Sequence, residues 1–394
     1  MAVFNRPVVG VLPRFLCLYA VLFAAFGAAS PFLPAFLGER GLRPAEIGLI
    51  LAAGTAIRLV TGPLLGGAAD VLEAPRAVLT LCTGLSALVA FGYLPAAGLW
   101  LLLLVSVMHA AVLAPLTPLS DALSLASAGD AKGGFPYGWV RGAGSAAFIL
   151  GALVSGQLVG PLGLVTIIWL NGVLLGAAAL CAVAVPDRIR RGGPKPAARA
   201  SGGFIVLLRL PAFRRLMLAA ALILGSHALH DSFMVILWRD AGTPSGTISV
   251  LWSESVAAEV VVFFLLGRPL VNRLGAAGAL SVAAAAGVLR WGVLARTTSV
   301  VASALVEPLH GLTFALLHLA CMRLLTEIVP PRLAATAQAI YATLAGGVAT
   351  ALLTLASGPL FERLGAGAFW IMAALCIAAL PAAWGLRRGG CGGR

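Results

Sequence analysis

Ionisable side chains interrupt the long apolar runs of this sequence, where charge is costly. They are five acids, three arginines and all five histidines: Asp121, Asp231, Glu254, Glu259, Glu307, Arg58, Arg141, Arg290, His109, His227, His230, His310 and His318. An arginine at the centre of a membrane helix costs about 2.5–3.5 kcal/mol on insertion scales, so such groups normally face a cavity or one another. A carboxylate of changing solvation can take up and release a proton, and an arginine can bind an anion. These residue types therefore predict anion recognition and proton transfer.

The composition is that of a membrane protein. Hydrophobic residues make up 60% of the 394 residues and charged residues only 10%, with a mean hydropathy of +1.01, whereas an average soluble chain is about one quarter charged. Twelve runs reach the length of about 20 residues that crosses a bilayer, at 11–37, 45–69, 77–95, 98–126, 136–160, 162–184, 211–238, 246–267, 276–296, 299–324, 333–360 and 367–386. Because lipid offers backbone groups no hydrogen-bond partner, each run is predicted to be a helix.

The positive charge is concentrated on one side of these runs. Most of the 27 Lys and Arg, which give a net charge of +13, lie in segments that share a side with the N-terminus. By the positive-inside rule, that side is cytoplasmic and holds both termini. The basic stretch DRIRRGGPKPAARASGGF is then part of a cytoplasmic linker near anionic lipid headgroups. This placement predicts the lipid bilayer, and not nucleic acid, as a partner.

Neither enzyme motifs nor metal motifs support another class of function. The sequence contains no H-E-x-x-H and no G-x-S-x-G, and its six cysteines form no C-x-x-C pair. The cysteines mostly lie inside apolar runs and are interpreted as small apolar residues. The cluster HALHD is a weak metal signal by itself. We therefore predict that the protein is not an enzyme and has no catalytic residues, no cofactor and no bound metal.

The chain divides into two similar halves. We predict a six-helix half at 1–184, the basic linker at 185–210 and a second six-helix half at 211–394. SGQLVGPLG begins at Ser155 and SGPLFERLG at Ser357, while PLLGGAAD at 63 and FLLGRPLV at 264 have nearly the same separation, as do His109 and His310. Many secondary transporters are built from such repeats, with the substrate site near the middle of the membrane.

Gly66-x-x-x-Asp70, followed by Arg76, resembles the loop between the second and third helices of the major facilitator superfamily. The resemblance implies a gate in which Asp70 accepts hydrogen bonds from a neighbouring helix N-terminus. The alternative is a glycine turn with a solvated acid.

The resemblance extends along nearly the whole chain. PLSDALS, YGWVRGAGSAAF, WSESVAAEVVVF, GVLRWGV and EPLHGLTFALLHLACMR resemble the corresponding stretches of bacterial 3-phenylpropionate permeases, relatives of the lactose permease. AQAIYATLAGG and GAGAFWIMA continue the likeness. It implies the all-α major facilitator fold of twelve transmembrane helices and a proton-coupled carrier of the bacterial inner membrane.

In the first half, Asp121 and Arg141 lie near the facing ends of consecutive runs and are predicted to form an ion pair that can be bidentate. The resemblance implies that both bind substrate; the alternative is a static bridge between helices. Phe148 stands where the lactose permease has a tryptophan that stacks on sugar, and a phenyl side chain favours an aryl substrate. Arg58 either faces the central pathway or extends to the membrane surface.

In the second half, Glu259, Arg290 and His310 match lactose permease positions used in coupling and substrate contact. At 1.5 Å per residue, Arg290 and Glu307 lie about 9 and 12 Å from the outer ends of their runs. Arg290 is therefore predicted to pair with Glu307 at its own level, or to bend toward Glu259, which lies about 20 Å deep.

One departure affects the proton carrier. The acid that follows the histidine by three residues in the lactose permease is Thr313 here. We therefore assign proton coupling to Glu259 with Arg290, assisted by Glu307 or Asp231, and substrate contact to His310.

The predicted protein is a proton symporter with alternating access, which moves a small organic solute, in particular an aromatic or other organic acid. The alternatives are a sugar or nucleoside symporter and a proton-driven efflux carrier. Its expected partners are the small-molecule substrate, protons and the lipid bilayer, and we expect it to act as a monomer.

Overall fold

The computed structural model describes residues 10–129, 134–187 and 203–389, and within these residues all regular structure is helical. Ten helical stretches are long and apolar enough to cross a membrane, and a shorter apolar helix accompanies them. The first half holds spans 1 to 6: Val11–Ala29, Pro44–Val71, Pro75–Phe91, Leu99–Ala128, Tyr137–Leu162 and Thr166–Ala184. The second half holds spans 7 to 10: Pro211–Asp240, Ser245–Leu274, Ala276–Leu294 and Val300–Ile328.

The stretch Pro331–Arg387 contains the two remaining spans. Gly365, with a φ of +53°, ends Ala349–Leu364 of span 11, and span 12 continues as Phe369–Gly389. Two short helices, Leu33–Glu39 after span 1 and Gly203–Arg209 before span 7, lie outside the spans. The predicted all-α fold with twelve membrane-spanning segments is confirmed.

The repeated stretches end in equivalent turns. Gly163 and Gly365 are the last glycines of SGQLVGPLG and SGPLFERLG, and they have φ values of +81° and +53°. This left-handed region favours glycine, because a Cβ atom would crowd the neighbouring carbonyl. Each glycine thus lets the chain turn after the fifth span of its half.

The first and fourth spans of the second half are interrupted where polar residues occur. Span 7 breaks between Gly225 and Ala228, where the Ser226 hydroxyl donates to the Ile223 carbonyl at 2.7 Å. Span 10 changes from α-helix to a 3₁₀ turn at Glu307–Leu309 and then to a π-helix at Gly311–Leu316. Pro308 contributes to the second break because it has no N–H to donate. These breaks place His227 and Glu307 inside the bundle.

The described residues form two compact units. Residues 10–40 and 57–187 form the first, and residues 41–56 and 203–389 form the second. Residues 41–56 contact span 11 through glycines: a Cβ atom on Gly358 would lie 2.5 Å from the Pro44 carbonyl oxygen. Residues 188–202 of the predicted linker lie outside the described residues, and the predicted boundaries of the halves stay a prediction.

Within the first unit, spans 1 and 5 approach each other through small residues. A Cβ atom on Gly27 would overlap the carbonyl group of Phe148, and one on Gly151 would overlap the carbonyl group of Ala24. Small residues allow such close approach of membrane helices, whose association depends on van der Waals packing and interhelical hydrogen bonds.

We expect Gly151→Ala to destabilise the protein by about 1–3 kcal/mol, the usual cost of overpacking. Gly142→Ala is the matched control in the same span, because no atom lies within 4 Å of its Cβ position. Thermal unfolding of the purified protein in detergent measures both. Equal melting temperatures for the two variants would contradict the close packing of spans 1 and 5.

Candidate functional site

The centre of the second unit is Arg290, whose side chain is 0% exposed. Its Nη2 donates to Oε2 of Glu307 at 2.6 Å, and its Nη1 donates to Nδ1 of His310 at 3.2 Å. Nη2 also lies 3.2 Å from Nε2 of His230. The guanidinium thus donates to one carboxylate and one imidazole of span 10, and a second imidazole, from span 7, lies beside it.

Glu307 is also fully buried and joins Arg290 to His230. Its Oε1 lies 3.0 Å from Nε2 of His230, and Nδ1 of the same ring lies 3.2 Å from Oδ1 of Asp231. A doubly protonated His230 can donate to both acids, whereas a singly protonated ring can donate to only one. Asp231 is 55% exposed, so the cluster extends from a buried ion pair to an accessible carboxylate.

Tryptophan rings surround this cluster. The Arg290 guanidinium lies 4.6 Å from the ring centre of Trp291, and the His230 ring stacks on Trp252 at 5.4 Å. The indole N–H of Trp291 donates to the Ser226 hydroxyl at 2.9 Å. Stacking on aromatic faces stabilises the cation, and an environment of low polarity strengthens each charged contact.

Glu259 reaches the cluster through His310. Its Oε2 lies 3.6 Å from Nε2 of His310, and the two side chains are 27% and 17% exposed. Because Nδ1 of His310 accepts from Arg290, the neutral ring carries its proton on Nε2, toward Glu259. This arrangement connects an accessible carboxylate to the buried arginine through one imidazole.

The sequence prediction missed part of this site. It compared Glu259 and Glu307 as partners of Arg290, and the structure pairs Arg290 with Glu307 while Glu259 contacts His310. It did not include Trp252 or Trp291, although both belong to quoted motifs. Thr313, which replaces the acid of the lactose permease, lies 2.9 Å from Nε2 of His227 through its hydroxyl group.

A smaller polar group lies in the first unit. Nη1 of Arg141 is 3.6 Å from Oδ1 of Asp121, and the Arg141 guanidinium lies 5.4 Å from the ring centre of Phe23. The ion pair forms through this one contact and not through a bidentate fork, and the same Oδ1 atom accepts a hydrogen bond from the Tyr19 hydroxyl at 2.5 Å. Nη1 of Arg141 has no hydrogen-bond partner, so a substrate oxygen can use this donor.

The remaining predicted residues are placed as follows. Phe148 is half-buried, and its carbonyl group packs on Gly27. Gly66 and Asp70 lie inside the helix Pro44–Val71, so the alternative of a glycine turn is wrong, and the gating role of the two residues stays a prediction. The helical bond from Leu72 N–H to the Ala68 carbonyl, at 2.9 Å, continues the helix past both residues. Glu73, with a φ of +47°, makes the turn.

Long apolar helices that enclose buried ionisable clusters define the class as a multi-pass membrane transporter. A family model described as "MFS_1 like family" matches residues 13–372. The chain is 34% identical to the "probable 3-phenylpropionic acid transporter" of Escherichia coli (strain K12), over 92% of this chain and 94% of that protein. It is 27% identical to the maltose permease of Geobacillus stearothermophilus, over 93% and 91%. The chain therefore belongs to the MFS_1-like family of the major facilitator superfamily.

Solved structures show the same fold. The nucleoside transporter NupG superposes with a TM-score of 0.77 at 18% identity, over 95% of this chain and 98% of that one. The POT family transporter PepTSo superposes with a TM-score of 0.71 at 12% identity, over 95% and 96%. Because the family model and the 34% identical relative belong to transporters, the protein is a carrier and not an enzyme.

We expect Glu307→Gln to destabilise the protein by about 3–5 kcal/mol, because it leaves the Arg290 charge buried without its acid. Adding Arg290→Met to Glu307→Gln should restore much of this loss, since both charges are then removed. Thermal unfolding in detergent measures these effects. Glu327→Gln is the control in the same span: its ion pair with Arg323 is exposed and contributes only about 0–1 kcal/mol. A double variant no more stable than Glu307→Gln would contradict the assigned pairing.

Proposed function

We propose that this carrier moves a small organic acid together with protons by alternating access. The observation that carries the proposal is the connection from Glu259 through His310 to the buried ion pair of Arg290 and Glu307. Glu259 is accessible enough to exchange a proton, whereas Glu307 is enclosed. The side chains around Arg290 must together neutralise its buried charge. Protonation of Glu259 removes one of their negative charges and so changes the electrostatic balance of the whole cluster.

Substrate recognition is assigned to the first unit. Arg141, with a free donor at Nη1, binds the anionic or the most polar end of the solute, beside Asp121. Phe23 stacks on Tyr19 with ring centres 5.5 Å apart, and together with Phe148 these rings suit an aryl group. In the second unit, we assign a second substrate contact to His310, whose ring also contacts Glu259.

The names of two relatives support an organic acid first. One relative is named for 3-phenylpropionic acid, and its identity of 34% exceeds the 27% of the maltose permease. A sugar or a nucleoside is the second candidate, because the maltose permease and NupG carry those names. We propose import across a bacterial inner membrane by a monomer with both termini in the cytoplasm; efflux would reverse the direction of uptake under an imposed pH gradient.

We expect aromatic carboxylic acids to stabilise the purified carrier against heating, while sugars and nucleosides do not. A ligand at 100 times its Kd adds about 2.7 kcal/mol to the free energy of unfolding. Arg141→Lys should lose most of this stabilisation, because lysine keeps the charge but loses the planar fork of donors. Calorimetric titration with 3-phenylpropionate gives the affinities. Unchanged affinity in Arg141→Lys would overturn the role of Arg141, and stabilisation by sugars alone would overturn the substrate class.

We expect Glu259→Gln to abolish proton-driven accumulation but to keep substrate exchange across the membrane, because exchange needs no net change of protonation. Reconstituted vesicles with labelled substrate and a pH-sensitive dye measure both activities. Glu327→Gln is the matched control and should accumulate substrate normally. Undiminished uphill uptake by Glu259→Gln would remove Glu259 as the proton carrier and move that role to Glu307 or Asp231.

A further inference from the structure

Arg58 occupies a position in span 2 where a charge is hard to place. It lies near the middle of the helix Pro44–Val71, about 20 Å from either end at 1.5 Å per residue. Arg290 contacts Glu307, and Arg141 contacts Asp121. The Arg58 side chain is exposed, and no carboxylate of the described residues contacts it. The described residues therefore leave the Arg58 charge without a counter-charge.

The helix face that carries Arg58 is turned toward span 4. Gly62 lies one turn further along the same face, and its Cβ position is 3.9 Å from the Cβ atom of Ala114. Side chains of a helix lean toward its N-terminus, so the Arg58 guanidinium extends away from this contact. His109, which precedes Ala114 in span 4, lies in that direction.

His109 offers a second unused polar group. The residue is 8% exposed, and its Nε2 has no hydrogen-bond partner among the described residues. Its ring packs edge-on against Tyr93, with ring centres 5.8 Å apart, and the Tyr93 hydroxyl donates to Ser106 at 3.0 Å. A buried imidazole nitrogen without a partner is costly unless a ligand or water supplies one.

The internal repeat gives an independent reason to connect these residues. Arg58 precedes PLLGGAAD by the same number of residues as Glu259 precedes FLLGRPLV, and His109 is the counterpart of His310. In the second unit, Glu259 and His310 are in contact at 3.6 Å. At this position of the repeat, the first unit therefore has a cationic residue and the second unit an acidic one. Each unit also has a histidine at the equivalent position.

We infer that Arg58 and His109 form a subsite for the carboxylate of the transported acid. The inference rests on the proposed function and assigns the anionic end of the solute to Arg58. Arg141, whose charge is already neutralised by Asp121, is left with the most polar uncharged part of the solute. The bound carboxylate supplies the negative charge that the described residues do not place beside Arg58, and it accepts a hydrogen bond from Nε2–H of His109.

Calorimetric titration of the full chain with 3-phenylpropionate and with its neutral amide, 3-phenylpropanamide, tests the subsite. The titration is done near neutral pH, where a carboxylic acid is ionised. Arg58→Gln should weaken binding of the acid roughly 10- to 100-fold, the effect of losing a hydrogen-bonded charge partner, and leave binding of the amide unchanged. Arg58→Lys and His109→Gln should each lose part of the preference for the acid. Arg141→Lys should weaken both ligands, and Arg14→Gln, at the start of span 1, should change neither.

The outcomes separate this inference from the proposed function. If wild-type protein and Arg58→Gln bind the acid equally well, the subsite is overturned and organic acid transport still stands. Wild-type protein that binds no carboxylate overturns both. Arg58→Gln removes no partner of an acid, so its melting temperature without ligand should match that of wild type. If that variant fails to fold, an unchanged preference for the acid over the amide in both Arg58→Lys and His109→Gln overturns the subsite.

Discussion

The cost of placing an arginine inside a membrane bundle determines how the second unit is built. Arg290 is buried completely, and the bilayer provides neither water nor counter-ion for it. Glu307 supplies the charge, His230 and His310 supply nitrogen atoms, and Trp291 supplies an aromatic face. A pair of this kind is weak evidence for stability, because desolvation offsets much of its attraction. On the proposed function, the pair takes part in a change of charge during the transport cycle.

The interruptions of spans 7 and 10 make this cluster feasible. A regular α-helix pairs its own backbone N–H and C=O groups, whereas a break leaves some of these groups for other partners. At the break in span 7, Nδ1 of His227 lies 3.0 Å from the Ile223 carbonyl oxygen, and Nε2 of the same ring meets Thr313. At the break in span 10, the 3₁₀ turn presents Glu307 to Arg290 and the following residue His310 to Glu259. The irregular backbone is thus found where it contacts other buried polar groups.

The sequence predicted the membrane-spanning segments well because lipid permits few alternatives to the helix. Depth along the helices also predicted that Arg290 reaches Glu307. It could not predict His230 as their shared partner, or that Glu259 would contact His310 instead. Each π-helical turn adds one residue and rotates the following side chains by about 100°, and π-helices occur at Val262–Leu266 and Gly311–Leu316. Likewise, the hydrogen bond from the Tyr19 hydroxyl to Asp121 joins residues that are distant in the chain. No rule of sequence spacing predicts such a contact.

The divergence of the two repeats offers a physical basis for coupling. On the proposed assignment, Arg58 is positive and Glu259 negative in the empty carrier, and their charges sum to zero. Binding of an organic anion neutralises Arg58, and binding of a proton neutralises Glu259, so the fully loaded carrier again has a sum of zero. A carrier with only the anion or only the proton has a net charge at these two positions. Because moving an unbalanced charge away from water is costly, the singly loaded forms are disfavoured in the conformational change.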